Sequence, residues 1–141
     1  MYFVDSNVLI GAKRKRDKWH SLAFPIVEKI ARGELGQGYI LDYVLVEVFN
    51  FLLKKDGADI AIDALSDILM SRYLELVIVD EIGFHGAVNV LNKYRSLSLT
   101  DATIAYYMKE MNISTLFSFD SRFDSVPWIN RKTSVWYVKN R

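Results

Sequence analysis

Short apolar runs alternate with longer amphipathic segments along the whole chain. The runs at 2–4, 39–41, 76–79, 116–119 and 135–138 have the length and composition of strands. Between them, segments 21–32, 44–55, 60–73, 82–94 and 101–111 are of helical character. Gly33, Gly36 and Gly38 punctuate the chain before the second run, and Asp56-Gly57 separates two helical segments. Parallel neighbours in a sheet need crossover connections, and helices supply them. The alternation therefore predicts an α/β domain with a mainly parallel central sheet of about five strands. No repeat, low-complexity tract or linker divides it, and 141 residues suit one domain that buries its own core.

Four of the runs end alike. YFVD, YILD, VIVD and FSFD place Asp5, Asp42, Asp80 and Asp120 just past the apolar residues. In an open α/β sheet the carboxyl ends of parallel strands share one edge, where ligands bind. Aspartate after a strand is also a common N-cap for the next helix, so each acid has a structural reading beside the chemical one.

The helical segments add two more acids. Glu47 lies inside VLVEVFNFLLKK, an almost wholly apolar stretch, and burying a carboxylate there is costly unless it is paired or binds a cation. Asp101, in SLTDATIAYYM, falls in a first helical turn, where the helix dipole alone explains a negative charge. Asp5, Glu47, Asp101 and Asp120 together can converge on the carboxyl edge of the sheet. Such a gathering repels itself, and a divalent cation relieves it. Oxygen-only ligation suits Mg²⁺ or Mn²⁺ rather than zinc. Carboxylates holding such ions are a known arrangement for phosphodiester hydrolysis.

Composition narrows the setting. Half the residues are hydrophobic and a quarter charged, which is the balance of a globular protein. There is no cysteine, so disulfides and cysteine-based zinc sites are excluded, and a cytoplasmic location is expected. No signal-peptide pattern is present and no apolar run reaches the ~18 residues of a membrane span. The formal net charge is +1, so a polyanionic partner has to be drawn by a local patch. Lys13, Arg14, Lys15, Arg16 and Lys18 form one. This run is either a solvated loop or a phosphate-contacting segment, the latter only if it lies beside a catalytic site.

FVDSNVLI, LDYVLVEVFNFL, SLSLTDATIAYYM and TLFSFDSRFD, in that order and over most of the chain, resemble the PIN-domain ribonucleases, in particular the small VapC-like toxins of toxin–antitoxin pairs. The resemblance implies a PIN-like three-layer α/β/α fold. It implies Asp5, Glu47, Asp101 and Asp120 as an acidic quartet for Mg²⁺ or Mn²⁺, with Asn7 and Ser118 in support and Asp124 as an auxiliary carboxylate. It further implies RNA cleavage by metal-activated water, a homodimer, and a small antitoxin that covers the acidic cleft. On this reading Asp5 ends its strand to deliver a carboxylate to the shared site, Ser6-Asn7 form the turn that aims it, and Asp42 and Asp80 are helix caps.

Other residues carry less chemistry. His20 and His85 are isolated, and Phe49, Phe51, Tyr106 and Tyr107 suit a core or a dimer surface. Trp128, Trp136 and Tyr137 suit either inward packing or a partner groove. Two rival functions remain. One is a receiver-like magnesium-binding signalling module phosphorylated on Asp80, which leaves Glu47 unexplained. The other is a scaffold of the same fold without activity.

Overall fold

The structure is a computed structural model and describes residues 1–135. The element order is β1 (Tyr2–Val4), α1 (Ser6–Lys13), α2 (His20–Ala31), β2 (Gly38–Leu41), α3 (Asp42–Asp56), α4 (Ala58–Leu69), β3 (Leu74–Val77), α5 (Glu81–Lys93), α6 (Leu99–Glu110), β4 (Thr115–Phe117) and β5 (Asn130–Lys132). A 3₁₀ turn, Ser121–Ser125, follows β4. The five strands form one parallel sheet in the order β3-β2-β1-β4-β5. The fold is the expected α/β class, with the strands sandwiched between helices. The chain steps outward from β1 through β2 to β3, then returns to the other side of β1. With right-handed crossovers, that reversal puts α5 and α6 on the face opposite α1 to α4.

Apolar side chains of the strands meet both helical layers. Phe3, Ile40, Leu41, Leu116 and Phe117 are buried to 2% exposure or less, together with Ile26, Leu52, Ile104 and Met108 from the helices. Gly11 lets α1 and α2 approach closely, since a Cβ there would stand 3.1 Å from that of Ala23.

Three elements depart from the sequence reading. Ser6-Asn7 are not a turn. They open α1, an eight-residue helix whose Val8, Leu9 and Ile10 are buried and whose N-cap is Asp5. So short a segment shows too few periodic positions to announce a helix. The third strand begins at Leu74, ahead of the predicted 76, because Gly38 of β2 pairs with it there. The fifth strand of the described residues is Asn130–Lys132, paired with β4, which the apolar pattern does not predict, and the predicted run at 135–138 lies almost wholly outside the described residues. A charged, polar edge strand lacks the apolar signal of a central one. Of the predicted segment, Val135 is a buried bend residue, and the rest lies outside the described residues, as do Trp136 and Tyr137.

Candidate functional site

The sheet order has one reversal, between β1 and β4, and in open α/β sheets ligands bind outside the strand ends at such a point. Asp5 leaves β1 there. Its backbone N–H donates to the Phe117 carbonyl at 3.0 Å, which continues the pairing of β1 with β4 by one residue. The residue is 3% exposed. Its Oδ1 accepts from the Ser6 backbone N–H at 2.8 Å, and its Oδ2 accepts from Ser118 Oγ at 2.7 Å and Asn7 Nδ2 at 3.3 Å. Asn7 Oδ1 in turn accepts from the Phe119 N–H at 3.1 Å, and Ser118 Oγ accepts from the Asp120 N–H at 3.0 Å. Asn7 and Ser118 thus stitch the start of α1 to the exit of β4 and fix the Asp5 carboxylate between them.

Three further acids approach this seam. Asp101, 7% exposed, belongs to the capping box of α6. Its N–H donates to Ser98 Oγ at 3.1 Å, and its Oδ2 accepts from the Ser98 N–H at 3.3 Å. Glu47 reaches in from α3, where it accepts from Ser6 Oγ. Asp120 caps the 3₁₀ turn, accepting from the Arg122 N–H at 3.0 Å. The structure therefore gathers Asp5, Glu47, Asp101, Asp120, Asn7 and Ser118 at one place on the carboxyl edge. Glu47 differs from its expected burial: it is exposed, because Val46 and Leu53 of the same helix also face outward and the apolar run is only partly core.

Electrostatics follow the crowding. Burial first, then the neighbouring Asp101 and Glu47, push the Asp5 carboxyl up to about 7 against the opposing hydrogen bonds from Ser118 and Ser6. Asp101 is also raised, chiefly by burial and further by Asp120. Asp120 is lowered, because Arg122 bonds it directly. The Arg122 Nη2 is 2.6 Å from Asp120 Oδ2 and 3.7 Å from Asp101 Oδ2, so this guanidinium bridges two acids of the cluster.

The donor set fits a hard divalent ion, since it consists of oxygens alone and its carboxylates destabilise one another when ionised. Even so, no three Asp, Glu, His or Cys side chains among the described residues are near enough to hold an ion as they stand. Ligation requires the carboxylates to draw together and Arg122 to give way. Asp124 is engaged elsewhere. Arg131 grips it at 2.9 and 3.0 Å and donates to the Ser118 carbonyl at 3.1 Å, so Asp124 braces the strand exit from outside.

Arg122 and Arg131 have no role in the sequence reading, and Ser6 enters it only as half of a turn. Arg122 had a signal in its spacing, two residues past Asp120 in the same turn. The contacts of Ser6 with Glu47 and of Arg131 with Asp124 and Ser118 become visible only in the fold.

The remaining candidates lie apart. Asp80 caps α5 by accepting from the Gly83 N–H at 2.7 Å and from Tyr107 Oη at 3.0 Å. Asp42 stands inside the first turn of α3 and ties it to the exit of β3, accepting from the Tyr43 and Val79 N–H groups. β3 is an edge strand, so two strand spacings, about 10 Å, separate the Asp80 end of the sheet from Asp5. That distance removes the receiver-like reading, which needs the two acids together. His20 Nδ1 is 2.8 Å from the Gly11 carbonyl, and His85 is exposed against Phe84. Trp128 packs inward, edge-on to Tyr94, with its Nε1 donating to the Ala105 carbonyl at 2.8 Å. No helix among the described residues is long and apolar enough to cross a membrane.

Comparison with known proteins adds three findings. The sequence matches the PIN domain family over residues 2–129. Among curated proteins none matches. Among solved structures, the fold is similar to Mycobacterium tuberculosis VapC20, a toxin that cleaves the sarcin-ricin loop, at 20% identity and a TM-score of 0.76 over 89% of this chain and 94% of that one. It is also similar to VapBC2 of Rickettsia felis bound to a promoter DNA fragment, at 17% identity and a TM-score of 0.70, covering 93% and 96%. A toxin–antitoxin complex from Klebsiella pneumoniae matches at 18% identity and a TM-score of 0.66, covering 92% and 96%. At such identities the likeness is one of fold.

Proposed function

The chain belongs to the PIN-domain family, and on that premise we propose that it is a metal-dependent endoribonuclease, the toxin of a toxin–antitoxin pair. The observation that carries this reading is the meeting of Asp5, Glu47, Asp101 and Asp120 at the β1/β4 seam, with the Asp5 carboxyl pushed up to about 7 by burial and its acidic neighbours. A site so shaped binds a cation to hold its carboxylates ionised.

Asp5, Glu47, Asp101 and Asp120 are the residues that would hold Mg²⁺ or Mn²⁺. When bound, the ion supplies charge neutralisation at the scissile phosphate and a water acidic enough to attack it near neutral pH. Ser118 and Asn7 orient Asp5, and Ser6 orients Glu47, in the way outer hydrogen-bond partners orient metal ligands. The similar Klebsiella structure is a toxin–antitoxin complex by description, which supports a small antitoxin partner for this chain. A homodimer completes the assembly proposed here.

The decisive assay offers structured and single-stranded RNAs with Mg²⁺, Mn²⁺ or EDTA, beside the Asp5→Asn and Asp101→Asn variants. Cleavage is expected with metal, absent in EDTA and abolished in both variants. A nuclease-free Asp5→Asn preparation that cuts as well as the parent overturns the proposal. Co-expression with the product of the adjacent gene tests the antitoxin, which should co-purify and silence cleavage. One observation favours the scaffold reading instead: Arg122 already neutralises Asp120 and stands beside Asp101. Metal titration separates the two.

A further inference from the structure

Two contacts set α1 and α3 side by side and pointing the same way. At one end Ser6 Oγ donates to Glu47. At the other, Arg14 Nε is 2.9 Å from Asp56 Oδ2, and the Arg14 guanidinium lies 5.6 Å from the centre of the Phe51 ring. From Ser6 to Arg14, and from Glu47 to Asp56, each helix advances about 12 to 14 Å at 1.5 Å per residue. The pair therefore holds the acidic site and a second locus at a set distance from each other.

That second locus is strongly basic. Lys13, Arg14, Lys15 and Arg16, with Asp56 and Ile60, line a depression of about 260 Å³. Asp56 is neutralised by Arg14, and Asp17 turns away to accept from the Trp19 N–H at 2.8 Å. Lys13, Lys15 and Arg16 are exposed, and none forms an ion pair among the described residues. Lys54 and Lys55 add charge in the last turn of α3, and Asp59 at the start of α4 offsets only part of it. The helix dipole explains cations in a last turn, such as Lys13 and Lys54. It does not explain Lys15 and Arg16, which lie beyond the end of α1. With a formal charge of only +1 on the whole chain, attraction for a polyanion has to come from a patch like this one.

We propose that the Lys13–Arg16 depression is a phosphate-binding subsite for the backbone of a single-stranded RNA whose reacting bond lies at the acidic site. The inference rests on the ribonuclease reading of that site and adds where the rest of the strand is held. At the roughly 3.4 Å of axis per phosphate of one strand in a duplex, the separation corresponds to at most about four nucleotides, and an extended single strand spans it with fewer. Contacts of lysine and arginine with phosphates position a strand without reading its sequence, so the subsite sets register and affinity rather than base preference.

The test is RNA binding in EDTA, followed by fluorescence anisotropy with the full chain, so that no cleavage is needed for a readout. The probes are a labelled single strand of twice the spanning length and a dinucleotide too short to reach both loci. The variant Lys13→Ala/Lys15→Ala/Arg16→Ala should bind the long strand at least about tenfold more weakly, with a salt dependence shallower by about 2 in log–log slope for three lost contacts. Dinucleotide binding should not change, and neither should the long strand's affinity for Lys93→Ala/Arg95→Ala at the end of α5. Melting curves check folding, and Lys15→Gln/Arg16→Gln replaces the triple variant if it melts early. Equal affinity and equal slope in parent and variant overturn the subsite. Binding of poly-glutamate through the same residues, with RNA unaffected, overturns it in favour of an acidic protein partner. A parent that binds RNA through this patch yet cleaves none rejects the ribonuclease reading while leaving the subsite in place.

Discussion

Asp5 joins two roles that look like alternatives in the sequence. It caps α1 and it belongs to the acidic cluster, and the same is true of Asp120 at the 3₁₀ turn. A strand-end aspartate was therefore legible as something needed at the carboxyl edge, while capping could not decide which acids assemble. What decides is the strand order, which sends Asp5 and Asp120 to the same seam and Asp80 to an edge. Burial of Asp5 makes a testable pH signature. Its folded carboxyl titrates at about 7, above the ordinary value of an unfolded aspartate, so the folded state holds this proton more tightly. The contribution to stability is fully present below about pH 4 and is lost as pH rises through about 7, a difference on the order of a few kcal/mol. In EDTA the parent should melt progressively lower over that range. Asp5→Asn should flatten the decline and melt above the parent at alkaline pH, and equal pH profiles for the two proteins would contradict this account. Ser118 is fully buried and serves Asp5, Asn7 and Asp120 at once. Ser118→Ala should cost about 1 to 3 kcal/mol in denaturant unfolding, because it leaves buried partners unsatisfied.

Elements were legible in proportion to their periodicity. The helices from α2 to α6 and the four strands from β1 to β4 each left an apolar pattern, whereas α1 is too short and β5 too polar to do so. The amphipathic pattern also misled at α3, where exposed Val46 and Leu53 made Glu47 look buried. At the element scale α6 is the most informative, because its capping box uses Asp101 itself. Ser98→Ala removes the side-chain acceptor for the Asp101 N–H and should destabilise the protein by about 1 kcal/mol. It should also weaken metal-dependent cleavage, since the start of α6 carries Asp101 to the seam. An activity loss without any stability loss would show that the serine acts otherwise than as a cap.

At the scale of the molecule, the site exists only because the chain adds β2 and β3 on one side of β1 and then β4 on the other. Residues 5, 47, 101 and 120 come from the exit of β1, α3, α6 and the turn after β4, so an ion binding all four ties together segments from most of the chain. Such an ion binds the folded state alone and should stabilise the whole protein by about 2.7 kcal/mol at a hundred times its Kd. Arg122 opposes this, because it already neutralises Asp120 and stands beside Asp101. Its side chain is half exposed and its ion pairs are correspondingly weak, so the opposition amounts to a few-fold in affinity at most. Arg122→Gln should therefore bind Mn²⁺ a few-fold more tightly than the parent in calorimetry, and melt lower without metal if the acids have lost a useful counter-ion. A parent and variant that both ignore Mn²⁺, in heat of binding and in melting temperature alike, would identify the fold as a scaffold without an ion site, whereas a variant that binds Mn²⁺ when the parent does not would show that the arginine has taken the place of the ion.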